Sequence, residues 1–110
     1  MASMITDIVS ATGKLEAAIL DVTNLSPGSP DRSRSMRAKA KLLPQVLVKH
    51  FPELSWIERE LRGVFEACSD AIDRKSVNPV VAKAAISIAD EYRQVIDSMK
   101  DTRQFSRRMS

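Results

Sequence analysis

Apolar side chains recur at helical spacing in four stretches of this chain. In the first, Ile5, Ile8, Thr12, Leu15, Ile19 and Val22 follow at 3-4-3-4-3, which puts all six on one stripe of an α-helix, as in a bundle seam. Val9 and Leu20 fall off that stripe. An apolar far side predicts a second partner for this helix, and the simplest candidate is another copy of the chain: a homodimer through the first helix. Gly13 sits mid-helix at a cost of about 1 kcal/mol relative to Ala, so it marks either a close helix approach or a weak point. Asn24 to Pro30 then brings two prolines and a glycine, which cannot continue a helix.

The second stretch predicts a helix starting at Asp31 or Ser33, either a suitable N-cap, with Met36, Ala40, Leu43 and Leu47 on its apolar face. Pro44 lies inside it. Proline lacks the N–H donor and crowds the preceding turn, so a kink, or a break into two short helices, is expected there. His50 to Leu54 forms the next interruption. Ser55 followed by Glu58 matches a capping box and predicts the start of the third helix. Ile57, Leu61, Val64, Phe65, Cys68 and Ile72 make its apolar face, and Trp56, in the first turn, is expected to pack over the bundle end. Asn78 before Pro79 is a strong start signal for the fourth helix. Its stripe reads Val81, Ala85, Ile88, Tyr92, Val95 and Met99, and Ala82, Ala84, Ala85 and Ala89 keep its first half slim enough for a neighbour to approach closely.

These elements predict an all-α fold: a compact antiparallel bundle of four helices, up-down-up-down, each about 18 to 24 residues or roughly 27 to 36 Å long. The alternative is a three-helix core whose first helix is exchanged into a dimer partner. Residues 1–102 read as one domain, and 103–110 as a basic, mobile tail. With 5% aromatic residues in 110, the core has to be built from Ile, Leu, Val, Ala and Met.

Charge changes the picture more than composition does. From Arg32 to Pro52 the chain carries Arg32, Arg34, Arg37, Lys39, Lys41 and Lys49 with no acidic residue. On a helical wheel, Arg34, Arg37 and Lys41 form a stripe opposite Met36, Ala40 and Leu43. Such a stripe suits an acidic protein surface or a few phosphates, or serves as a solubilising face paired with acidic residues of the third helix. Arg103, Arg107 and Arg108, interleaved with Phe105 and Met109, add a cationic-apolar end. Aromatic residues interleaved with the basic ones for base stacking are missing, as is zinc-finger spacing.

Little is left for catalysis. There is one histidine, His50, and one cysteine, Cys68, and no Glu-x-x-His or nucleophile motif. His50 at a helix end fits a dipole-facing role, and Cys68 reads as a small buried hydrophobe. A single cysteine forms no internal disulfide, which fits a reducing compartment. No run approaches the roughly 20 apolar residues of a membrane span, and the first residues lack a signal-peptide pattern, so the expected location is cytoplasmic. The expectation is a non-enzymatic protein without cofactor or metal: a regulator, inhibitor or small subunit of a complex. Arg34, Arg37, Lys41, Trp56, Arg103, Arg107 and Arg108 would engage a partner protein with an acidic surface. Nucleic-acid binding through the same basic residues is the alternative.

Overall fold

The computed structural model describes residues 4–23 and 35–109, with side chains as far as Met99. Among the described residues the chain is mostly helical and has no strand: α1 (Met4–Val22), α2 (Met36–His50), a short 3₁₀ segment (Pro52–Ile57), α3 (Glu58–Arg74) and α4 (Pro79–Met109). They pack as an all-α bundle. α3 touches all three other helices, α1 lies mainly along α4, and α2 lies mainly along α3. The consecutive pair α1 and α2 meet least.

The main core gathers Leu15, Ile19, Leu43, Leu47, Leu61 and Phe65 with Ala89 and Ile96. A smaller cluster of Ile8, Cys68, Ala71 and Ala85 closes one end. α1 buries a face wider than one seam, including Ala11, Ala18 and Leu20, because α4 and α3 both pack against it. Leu20 is only 2% exposed. The far side of α1 is therefore not left apolar at Leu20, and of the two residues off the stripe only Val9 stays exposed. Gly13 is exposed, and a Cβ built there meets nothing within 4 Å, so it serves no close helix approach.

α2 begins later than the sequence suggested. Ser35, not Asp31 or Ser33, is its N-cap: the Ser35 hydroxyl accepts from the Ala38 N–H at 3.3 Å. The helix also runs through Pro44 as one element, not as two short helices. Pro44 withholds an N–H from the Ala40 carbonyl, a loss of about 3 kcal/mol for an exposed interior proline, but here its ring is buried in the core.

The capping box at Ser55 does not form. Pro52 instead opens a 3₁₀ turn, and the α3 N-cap position falls on Ile57 with no side-chain cap. A 3₁₀ helix has three residues per turn, so residues three apart share a face. Leu54 and Ile57 use that face and are buried. Trp56 is thereby turned outward and is 70% exposed, so it does not pack over the bundle end. Ile72 is likewise exposed, the α3 face ending on Ala71.

Asn78 caps α4 as expected, its Oδ1 accepting from Val80 N–H at 2.8 Å and Val81 N–H at 3.4 Å. The buried face of α4 is rotated one residue from the expected stripe. Ala82, Ala85, Ala89 and Ile96 are inside, whereas Val81 and Val95 are about half exposed. The slim alanines are what α1 approaches so closely, and they take the core positions from the larger valines. The backbone of α4 continues helical past Thr102 to Met109. No glycine or proline follows Pro79 to stop it.

Candidate protein-interaction surface

The rotation of α4 leaves a second apolar stripe at the edge of the core, with Val81 and Val95 about half exposed and Ile88 partly buried against the main cluster. Val81, Ile88 and Val95 are seven residues apart and share one side of the helix, bordered by Val80, which is 76% exposed. Beside this stripe α3 contributes Gly63 and Ala67, four apart on its outer face. The two helices enclose an open groove of about 390 Å³. Its floor is Gly63, Val64, Ala67, Ala84 and Ala85, and Val80, Val81 and Ile88 form its α4 wall. Gly63 lies in the middle of α3, where glycine costs about 1 kcal/mol relative to alanine, yet a Cβ built there meets nothing within 4 Å. Packing within the chain does not require it.

One end of the groove is polar. The Tyr92 hydroxyl of α4 donates to Glu60 Oε2 of α3 at 2.5 Å. Burial, that hydrogen bond, and the charges of Glu60 and then Glu91 push the Tyr92 phenol up to about 12. Two arginines close in sequence are turned to other carboxylates: Arg62 to Glu58 at 4.0 Å and Arg93 to Asp97 at 3.4 Å. Among the described residues neither Glu60 nor Glu91 has a cationic partner within ion-pair distance.

The basic residues singled out on α2 have partly been used by the fold. Arg37 is exposed and meets Asp73 of α3 at 3.3 Å. Lys39 is nearly buried, with Nζ 3.0 and 3.1 Å from the two carboxylate oxygens of Glu16 on α1. Lys41 is exposed and lies four residues from Arg37, on the same side of α2. Arg34, and the side chains of Arg103, Arg107 and Arg108, lie outside the described residues. Trp56 belongs to a different element, the 3₁₀ segment. Between Arg37 and the last turns of α3 lies a polar cleft with Glu66, Ser69 and Asp70.

The two side chains most often used in catalysis are structurally engaged. His50 ends α2 with Nδ1 3.0 Å from the Val46 carbonyl. A carbonyl only accepts, so Nδ1 carries the proton there and satisfies one of the helix's last carbonyls. Cys68 is fully buried. Burial pushes its thiol up, the Thr12 hydroxyl pulls the other way, and the charge of Glu16 adds to the rise. The Thr12 hydroxyl is buried and makes no hydrogen bond within the distance and angle of a regular one. Among the described residues no group of three or more His, Cys, Asp or Glu is placed to hold a metal ion. No described helix is long and apolar enough to cross a membrane.

The chain matches no protein-family model, and neither a curated protein nor a solved structure is significantly similar to it.

Sequence reasoning did not find Glu60, Gly63, Ala67 or Val80, and it read Ala84 only as part of a slim helix face. A signal was present. α4 carries two adjacent apolar stripes, 81/88/95 and 82/89/96, and one helix face can bury only one of them fully.

Proposed function

We propose that this chain is a non-catalytic protein-interaction module, a regulator, inhibitor or small subunit, that docks its partner on the groove between α3 and α4. The observation that carries this reading is the apolar surface of exposed Val80 and Val81 and half-buried Ile88 beside Gly63 and Ala67, with exposed Val95 further along α4. Contiguous apolar surface on a small soluble fold is costly to leave in water and marks an interaction site. A lining of small residues lets a partner backbone come close, as at tightly packed helix interfaces. The α2 surface supports the reading less strongly, because Arg37 and Lys39 already hold Asp73 and Glu16. The sealed Cys68 thiol suits a reducing, cytoplasmic setting.

The test is affinity capture from the native cell, with nuclease present, using the parent chain and two variants of unchanged circular dichroism. Gly63→Trp fills the groove from a position with open space around it. Arg34→Glu/Arg37→Glu/Lys41→Glu reverses the α2 stripe. We expect a defined protein partner lost with Gly63→Trp and kept by the triple variant. Capture lost only with the triple variant, or only on adding nuclease, replaces this reading with electrostatic binding through α2.

A further inference from the structure

We propose that the partner element seated in the α3–α4 groove is a basic amphipathic helix, its apolar side chains over Gly63, Ala67 and Ala84 and a lysine or arginine between Glu60 and Glu91. This inference rests on the groove being a docking site and adds the chemistry of what docks.

Shape comes first. The groove is lined from position 80 to 88 on α4 and from 60 to 67 on α3, about 12 and 10 Å at 1.5 Å per residue. That is two helical turns, the span over which a docked helix places anchors at i, i+3 or i+4, and i+7. The groove is open on its outer side, and Glu60 is the one charged side chain in its lining. A small ligand would need more enclosure and several convergent polar groups. A helix needs only an apolar trough.

Charge then selects among helices. Glu60 spends one carboxylate oxygen on the Tyr92 hydroxyl, and Glu91 is exposed one position before Tyr92 on α4. Arg62 and Arg93, two positions on and therefore on another side of each helix, are paired with Glu58 and Asp97. Arg59, adjacent to Glu60, projects about 100° away around α3. A cation arriving with the docked helix meets two carboxylates at the groove's end, and an acidic helix meets repulsion there. The same argument disfavours a second copy of this chain packed groove to groove. In a two-fold contact the same patch faces itself, so both partners bring the same unneutralised glutamates.

The experiment uses two synthetic helical peptides of equal length with the same leucine and alanine face, one flanked by lysines and one by glutamates, titrated against the full chain by fluorescence anisotropy. The chain's net charge is +3, so non-specific attraction favours the acidic peptide and works against the expected result. We expect the lysine peptide to bind at least tenfold tighter. Glu60→Gln/Glu91→Gln should bring the two affinities together, with Glu91→Gln alone halving the preference or more, and Gly63→Trp should abolish binding of both. Equal affinities, or a preference untouched by the glutamine changes, overturn the charge assignment but leave the groove as a docking site if Gly63→Trp still blocks. Binding insensitive to Gly63→Trp, or absent for both peptides, overturns both readings. A dimer by light scattering that Gly63→Trp dissociates makes the occupant a second copy and overturns this one.

Discussion

Replacing Lys39 with methionine removes the mostly enclosed ion pair between α1 and α2, the consecutive helices that touch least. The pair is short and mostly enclosed: Nζ is 3.0 Å from Glu16 Oε2, and the two side chains are 12% and 16% exposed. At that distance the gross attraction is about 1.4 kcal/mol in bulk water and about 5.5 at an effective dielectric of 20. Much of the larger value is offset by taking both ions out of water. The single change is costly for a different reason, because it leaves the Glu16 carboxylate enclosed without its counter-ion. Breaking a fully buried pair this way costs about 3–5 kcal/mol. With residual solvent access we expect about 2–3 kcal/mol, a large share of the roughly 5–15 kcal/mol that stabilises a domain. In urea, at a slope of about 1.5 kcal/mol per molar, the midpoint falls by about 1.3–2 M. Lys39→Met/Glu16→Leu removes both charges and should return to within about 1 kcal/mol of the parent, since apolar isosteres of an enclosed pair are often neutral. The assay is urea unfolding of the four members of the cycle. If Lys39→Met costs under about 0.5 kcal/mol and the double change is simply additive, the pair is screened and the enclosure argument fails.

Four further outcomes follow from single sites. Gly13→Ala has open space in the middle of α1 and should raise stability by about 0.5–1 kcal/mol, whereas Lys75→Gly should gain up to about 1 kcal/mol, because Lys75 caps α3 at φ 55° in the left-handed region; thermal unfolding reads both, and a loss at either contradicts the local geometry. Tyr92 is the only tyrosine, so absorbance near 295 nm should titrate toward pH 12 in the folded chain and near pH 10 when unfolded. The folded state holds the phenol proton more tightly, so this contribution to stability is complete below about pH 10 and is lost as pH rises from 10 to 12; Glu60→Gln should lower the folded midpoint, and an unshifted midpoint removes the Tyr92–Glu60 contact. Cys68, the lone thiol, should react with a disulfide reagent only at the rate of global opening, so prompt labelling under native conditions would show the core end around Ile8 and Ala71 to be loose.

Helix existence and the cap at Asn78 were legible in the sequence because both are local. Fourfold apolar periodicity and an Asn-Pro start depend on neighbours within one or two turns. What was not legible depended on contacts made elsewhere in the bundle. On α4 the stripes 81/88/95 and 82/89/96 are equally periodic, and side-chain size favoured the valines. Close packing by α1 chose the alanines, with Ala82 and Ala89 fully buried. Leu20 read as lying outside the seam, but α1 is flanked on two sides. Ser55 and Glu58 had the capping spacing, yet Pro52 had already set a 3₁₀ turn that brought Leu54 and Ile57 to the core. The fate of the basic stripe was equally remote: Arg37 meets Asp73 across 36 positions and Lys39 meets Glu16 across 23. The groove depends on how α3 and α4 pack side by side, which is why it emerged only from the fold.

Site-specific photocrosslinking in the native cell tests the docking surface most directly. Benzoylphenylalanine replacing Ala84 sits on the groove floor, and the same residue replacing Lys41 sits on the α2 stripe. The account predicts a discrete covalent protein adduct from position 84 and none from position 41. An adduct from position 41 with none from position 84 would contradict it and return the interaction to the basic face of α2.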